Sequence, residues 1–185
     1  MSAAETGGTL YVSDLDGTLL GEDGRLSDES ARILDELVAD GVPFTVATAR
    51  SYGSTRRGLA GLELQLPHVV YSGATAVDPA TGASLWWEHF DGRIVHPLMA
   101  ASLAAGITPL AFWLQGDEER ISWVRGAETP GVDAFLAKRE GDPRLAPVDA
   151  WDEVDHDSTF FVSFVGDRVV PVSYTHLTLT TNREV

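Results

Sequence analysis

The sequence contains no cysteine, which excludes a disulfide framework and any thiolate metal site and fits a reducing, cytoplasmic compartment. Lysine is almost missing too: Lys138 stands alone within 13 basic residues, set against 28 acidic ones. The resulting net charge of −15 argues against binding nucleic acid through its phosphates. Nothing at the N-terminus resembles a signal peptide, and no apolar run reaches membrane-spanning length. Walker-type Gly-x-x-x-x-Gly-Lys-Ser/Thr, dinucleotide-binding Gly-x-Gly-x-x-Gly and His-Glu-x-x-His patterns are all absent. His68, His89, His96, His156 and His176 show no ligand spacing and are expected at solvated or core-edge positions. No repeat, low-complexity segment or signature of an obligate protein partner stands out. With 185 residues, 44% hydrophobic and 22% charged, the chain is globular, long enough for one domain or a small domain plus part of another.

What is present is concentrated first in Asp14-Leu15-Asp16-Gly17-Thr18-Leu19-Leu20, preceded by a β-rich run over residues 9–13. Side chains two apart share one face of a strand. Once the chain leaves the strand after Asp14, both carboxylates can turn toward a common point beyond the sheet edge. One can bind a divalent cation or attack an electrophile while the other moves a proton, a division of labour suited to phosphoryl transfer. An EF-hand calcium loop is excluded, because its fifth, sixth and twelfth positions hold Thr18, Leu19 and Arg25. A solvated acidic turn remains open on these residues alone.

The following segments weigh against that plain turn. Gly21 to Arg25 is glycine-punctuated, a small flap. Ser27 is an N-cap for a helix carrying Ile33, Leu34, Leu37 and Val38 and stopped by Gly41. Residues 43–48 read as a second buried strand running into Thr48-Ala49-Arg50. A weaker helix spans about 54–61, and residues 68–71 form a third strand ending at Ser72-Gly73. Strand, helix, strand, helix, strand with short connections predicts an α/β fold, a Rossmann-like doubly wound parallel sheet. In such sheets ligands bind at the carboxyl ends of the strands, where Asp14, Asp16, Thr48, Arg50 and Gly73 all fall.

From about residue 85 the pattern changes to paired strands and helices. A strand-like run at 85–90 precedes a helix over 94–105. Strands at 108–114 and 120–124 flank a polar hairpin turn, and a helix at 132–138 and a strand at 159–165 follow. This predicts an α+β unit distinct from the parallel core. Residues 152–157 read as a solvated acidic loop, and packing within this unit accounts for the tryptophans from residue 86 onward.

Asp-Leu-Asp-Gly-Thr-Leu-Leu after a hydrophobic strand resembles the first motif of the haloacid dehalogenase superfamily. The stretch to about residue 90 resembles its Cof-type phosphatases, cytoplasmic Mg²⁺-dependent enzymes with a Rossmann-like core and an inserted α/β cap. The resemblance implies a core over 1–84 and a partial cap over 85–171. It implies Asp14 as nucleophile, Asp16 as acid and base, and Thr48 as a hydroxyl on the phosphoryl group. Mg²⁺ would be held by Asp14 and, through its backbone carbonyl, Asp16; Gly17, Thr18, Arg50 and Gly73 would border the bound small phosphorylated metabolite. A phosphomutase or narrower sugar-phosphate phosphatase of the same superfamily, and a non-catalytic binding relic, are the rival readings.

Departures from that pattern are equally visible. Ala49-Arg50 stands where the branch has Gly-Arg, and Ser72-Gly73 where it has Asn-Gly, leaving Gly73 a turn role. A third-motif lysine and a fourth-motif Gly-Asp-x-x-x-Asp are not supplied: Lys138 and Asp167 read as cap residues, with Val170 and Pro171 where the second acid belongs. Residues 172–185 begin with Val-Ser-Tyr-Thr-His-Leu, which resembles a translated frame of a transposon-end sequencing adapter. They are expected to be foreign, the chain a truncation with little activity, and the interrupted parallel sheet to expose an apolar edge.

Overall fold

The computed structural model describes residues 8–165; residues 172–185, with the adapter-like segment, and Asp167 lie outside them. Strand β1 (Tyr11–Ser13) pairs in parallel with β2 (Phe44–Val46), placing Tyr11 opposite Phe44 and Ser13 opposite Val46. The helix that makes this crossover, α1 (Asp28–Ala39), begins where its sequence indicates. Ser27 Oγ accepts the Ser30 N–H at 3.1 Å, and Asp28 and Glu29 occupy the positive first turn. Gly41, at φ +84°, takes the left-handed conformation that turns the chain back toward β2.

A shorter helix, α2 (Tyr52–Gly58), is capped by Ser51 and leads to β3 (His68–Val70). Ala47 bridges in parallel to Val69, so β3 continues the order β1–β2–β3. The fold is therefore α/β with a parallel sheet. Two antiparallel strands follow, β4 (Thr75–Val77) on β3 and β5 (Ser84–Trp87) on β4. β4 has no counterpart in the sequence reading, and the strand at residues 84–87, grouped there with the second domain, is hydrogen-bonded into the first. The described chain forms two compact units: the first runs to Asp91 and takes in Asp157–Phe161, while the second comprises Gly92–His156 and the chain from Val162.

The core of the first unit is built from Leu15, Leu20, Leu34, Val46, Leu59, Leu62 and Leu64, with Leu19, Leu26, Val38 and Phe44 packed against it. Leu15 is fully buried between two exposed aspartates, so one residue anchors the loop on which both are carried. Among the described residues β1 is paired on one side alone, and Leu10, Tyr11 and Val12 are about half exposed. His68, expected at a solvated or core-edge position, is instead buried.

In the second unit, α3 (Gly92–Ala104) precedes a hairpin of β6 (Pro109–Gln115) and β7 (Glu118–Ser122); β8 (Thr159–Phe164) is divided, Thr159–Phe161 belonging to the first unit and the chain from Val162 to the second. The short helix α4 (Pro130–Ala137) starts on Thr129, whose hydroxyl accepts the Val132 N–H at 3.3 Å. Val95, Met99, Ala111, Trp113, Val148, Trp151 and Val154 form its core. The acidic stretch at 152–157 is thus more than a solvated loop. Trp151 and Val154 anchor it, and Glu153 accepts the N–H groups of Asp149 and Ala150 at 2.9 and 3.0 Å.

Leu15→Ala removes a fully buried side chain beneath the Asp14–Asp16 loop and should cost about 2–5 kcal/mol of stability. A lowered urea midpoint with an unchanged slope is the expected result.

Candidate active site

Asp14 is the first residue after β1, and the chain beyond it is wound into a tight turn by a single acceptor. The Leu15 carbonyl takes the N–H groups of Thr18, Leu19 and Leu20 at 3.3, 3.0 and 2.9 Å. Gly17 makes this winding possible at φ +72°, a conformation costly for side chains bearing Cβ. Nothing lies within 4 Å of a Cβ added there, so backbone conformation rather than crowding calls for glycine. Asp14, Asp16, Gly17 and Thr18 are all exposed. The Asp14 carboxylate has no hydrogen-bond or ion-pair partner among the described residues, while its carbonyl accepts the Ser13 hydroxyl at 2.7 Å.

Asp16 is engaged differently. Arg50 donates to both of its carboxylate oxygens, Nε to Oδ2 at 2.8 Å and Nη2 to Oδ1 at 2.6 Å. This forked pair, with desolvation opposing it, holds the Asp16 carboxyl below the usual carboxylate range and raises Arg50 in turn. The Asp16 side chain remains 59% exposed, so solvent screens the pair.

Arg50 also ties together the backbone at the other two strand ends. Its N–H donates to Thr48 Oγ1 at 3.2 Å, and its carbonyl accepts the Tyr71 N–H at 3.0 Å. Thr48 itself is buried, donates its N–H to the Val69 carbonyl and accepts the Ser72 N–H, both at 3.0 Å. Its hydroxyl accepts from Arg50, which leaves the hydroxyl proton for a further acceptor. Asp16, Thr48, Arg50 and the turn before Gly73 are thus one connected network at the carboxyl rim.

The third strand end is strained. Tyr71 and Ser72 both have positive φ, +50° and +56°, and Gly73 follows at +96°. Two successive non-glycine residues in the left-handed region cost of order 1–3 kcal/mol each. The Tyr71 ring is held against Phe160 and Phe161, with centroids at 5.1 and 5.7 Å, which pins the turn.

Sequence reasoning did not anticipate Gly24 and Gly58, which shape the slot for Arg50. A Cβ at Gly58 would stand 3.0 Å from Arg50 Nη1 and 3.0 Å from Leu20 Cδ1, and one at Gly24 would stand 3.2 Å from Arg50 Nη2. The available signal was a glycine inside a helical pattern, a costly choice unless close approach demands it.

Because Asp16 titrates below its unfolded value of about 3.9, the pair's stabilisation is in place above that pH and is lost as pH falls through the lowered value. Arg50→Gln should return the Asp16 pKa toward the ordinary value and remove this acid-side component, which screening limits to about 1 kcal/mol. Gly58→Ala should shift the same titration in the same direction by displacing the guanidinium. A side-chain carbonyl NMR titration of Asp16 reads both; an unmoved titration in Arg50→Gln would refute the assignment.

A model of the haloacid dehalogenase-like hydrolase family matches residues 11–125. Among solved structures, a haloacid dehalogenase-like hydrolase from B. subtilis aligns with a TM-score of 0.63 at 18% identity, covering 86% of this chain and 62% of that one. The phosphatase-superfamily protein BT1666 from Bacteroides thetaiotaomicron aligns at 0.55 with 20% identity, over 80% of this chain and 53% of its own. The subclass IIB sugar phosphatase BT4131 aligns at 0.59 with 18% identity, over 82% and 56%. The chain thus spans 53–62% of the length of these proteins, and at such identities the likeness is one of fold. A search of curated proteins found no match. The family match extends over more than half of the chain and takes in the whole Asp14–Arg50 network, so the chain belongs to the haloacid dehalogenase-like hydrolases.

Proposed function

We propose that the protein of which this chain is the described part is a Mg²⁺-dependent phosphatase of small phosphorylated metabolites, acting in the cytoplasm. The supporting observation is the pairing of an unpartnered, exposed Asp14 carboxylate with an Asp16 held ionised by Arg50 on the same loop. In this reading an Asp14 oxygen attacks phosphorus, forming an acyl phosphate as the bond to the leaving oxygen breaks. Asp16 gives that oxygen a proton, then takes one from the water that attacks the acyl phosphate, releasing phosphate and restoring Asp14.

The second half-reaction needs Asp16 as found, ionised. The first needs it protonated, which Arg50 opposes while the forked pair lasts. A phosphate ester entering the rim offers Arg50 an alternative forked acceptor. Transfer of the guanidinium from Asp16 to a phosphoryl oxygen removes the group that lowers the Asp16 pKa and makes Arg50 a substrate ligand. In this reading the Thr48 hydroxyl, which accepts from the Arg50 N–H, gives its own proton to a hydrogen bond with the phosphoryl group.

The donors at Asp14 and the Asp16 carbonyl suit Mg²⁺, a hard ion that takes one or two protein oxygens and keeps water and phosphate for the rest. When bound it would neutralise phosphoryl charge in a chain whose own field is negative. Among the described residues no group of three histidine or acidic side chains could hold a metal. Lys138 ends α4 in the second unit. With the lysine and second acidic motif unassigned, and each such group worth roughly 3–4 kcal/mol in the transition state, we expect slow turnover from this chain.

Hydrolysis of p-nitrophenyl phosphate by the full-length protein should require Mg²⁺ and fall at least about a thousandfold in Asp14→Asn. Survival of the rate in that variant would remove Asp14 as nucleophile. The tight Asp16–Arg50 pair also favours a second reading, a module that binds phosphate without turning it over. Saturable phosphate binding with no hydrolysis by the full-length protein would select it.

A further inference from the structure

A cavity of about 680 Å³ opens in the first unit between the flap and α2, with Gly24 and Arg25 on the flap and Ser54, Arg57 and Gly58 on the helix. Its volume lies in the range, roughly 300–1,000 Å³, of small-molecule sites. Asp14, Thr48 and Gly73 do not line it, but Arg50 does. Nε and Nη2 of Arg50 carry the fork to Asp16, whereas Nη1 has no acceptor among the described residues. Nη1 stands at the glycine that borders the cavity, 3.0 Å from where a Cβ on Gly58 would be. It is not one of the buried side-chain atoms left without a partner, so solvent reaches it. An accessible, uncommitted N–H pair on a charged group calls for an anionic acceptor.

Further donors line the same space. Arg25 and Arg57 have no carboxylate partner among the described residues, and the Ser54 hydroxyl has no hydrogen-bond partner there. Ser54, Arg57 and Gly58 are three and four apart on α2 and share one face, the face on which Gly58 meets Leu20, Gly24 and Arg50. The Arg57 side chain runs back along that helix, its Nη1 3.8 Å from where a Cβ on Gly53 would be, next to Ser54 in sequence. Arg56 belongs to another face, over the Tyr52 ring at 6.0 Å. Asp23 and Asp28 also line the cavity, but one Asp23 oxygen is taken by the Arg25 N–H at 3.1 Å. Three arginines thus stand against these two aspartates, and with Asp16 counted the charges balance, in a chain of net charge −15. The general repulsion of anions is cancelled here, and directional donors decide what binds.

The geometry points to this cavity as a phosphate-binding site separate from the Asp14 rim, with the free Nη1 of Arg50 as its anchor and Arg25, Arg57 and Ser54 as further donors. A carboxylate presents two oxygens in one plane and is satisfied by a single fork, as Asp16 is by the other edge of Arg50. A tetrahedral phosphate presents oxygens in several directions and is matched by donors from the flap and the helix together. The phosphate is either the free ion or the phosphate group of a small organic ester; the recognition is the same for both. Arg25 and Arg57 take no part in the hydrolytic steps, so the site does not depend on them.

The experiment is calorimetric titration of the full chain, as the Asp14→Asn protein without Mg²⁺ and at physiological salt, with inorganic phosphate and separately with glycerol 2-phosphate. Removing the nucleophile and the metal keeps the outcome independent of whether the phosphatase reading holds. Saturable one-to-one binding is expected, with the Arg50 Nε–H resonance moving in step by NMR. Tighter binding of the ester identifies an organic phosphate as the occupant; equal or tighter binding of inorganic phosphate identifies the free ion. Acetate should bind at least about tenfold more weakly. Arg25→Gln and Arg57→Gln should each weaken phosphate binding at least about fivefold. Arg56→Gln, an equal loss of charge on another face of α2, should leave it unchanged. All three arginines are exposed, so these exchanges leave the fold intact. Absence of saturable binding by both phosphates, equal affinity for acetate, or an Arg57→Gln protein that binds as well as Arg56→Gln would overturn the proposal.

Discussion

The forked contact between Arg50 and Asp16 joins segments 34 residues apart and is the point through which the carboxyl rim of the sheet is organised. Its guanidinium clasps the loop after β1, while its own backbone holds Thr48 after β2 and Tyr71 after β3. Two glycines give way to it, one in the flap and one in α2. As a surface ion pair it contributes little to stability. Its importance is geometric, since a planar guanidinium with one edge committed to both oxygens of a carboxylate fixes the direction of the side chains it joins. It also fixes chemistry, because the same contact that positions Asp16 sets which protonation state is favoured.

Much of this rim was legible in the sequence. The strand-to-loop position of Asp14 and Asp16, the Ser27 cap and the Gly41 stop are local features, and local features are what periodicity and capping rules read. The parallel order followed from short connections around helices of the right length. The partner of Arg50 was a different matter. The sequence reading set that side chain at the border of the bound metabolite, and only the folded chain brings it to Asp16, 34 residues away. The strained turn at Tyr71 and Ser72 was equally hidden, because nothing in Tyr-Ser-Gly announces left-handed backbone at the first two positions.

Other differences share a physical cause. β4 is three residues long and wholly buried, so it shows neither alternation nor length, the two signals that identify a strand. The acidic run after Trp151 looked solvated because charge dominates its composition. Two apolar anchors and a carboxylate cap nevertheless seat it as part of the second core. His68 appeared ordinary because a histidine carries no mark of its burial, which is decided by β3 and the leucine-rich segment before it.

The distribution of indole rings has a spectroscopic consequence. Trp113, Trp123 and Trp151 are buried in the second unit, with the Trp113 indole N–H bound to the Ser122 hydroxyl and the Trp123 indole N–H to a Glu128 carboxylate oxygen. The first unit holds the other two, Trp86 about half exposed and Trp87 packed at 4.4 Å from Phe160. Blue-shifted emission therefore belongs mostly to the second unit. An unfolding curve followed by emission wavelength is weighted toward that unit, while the rim carrying Asp14 can loosen with little optical signature.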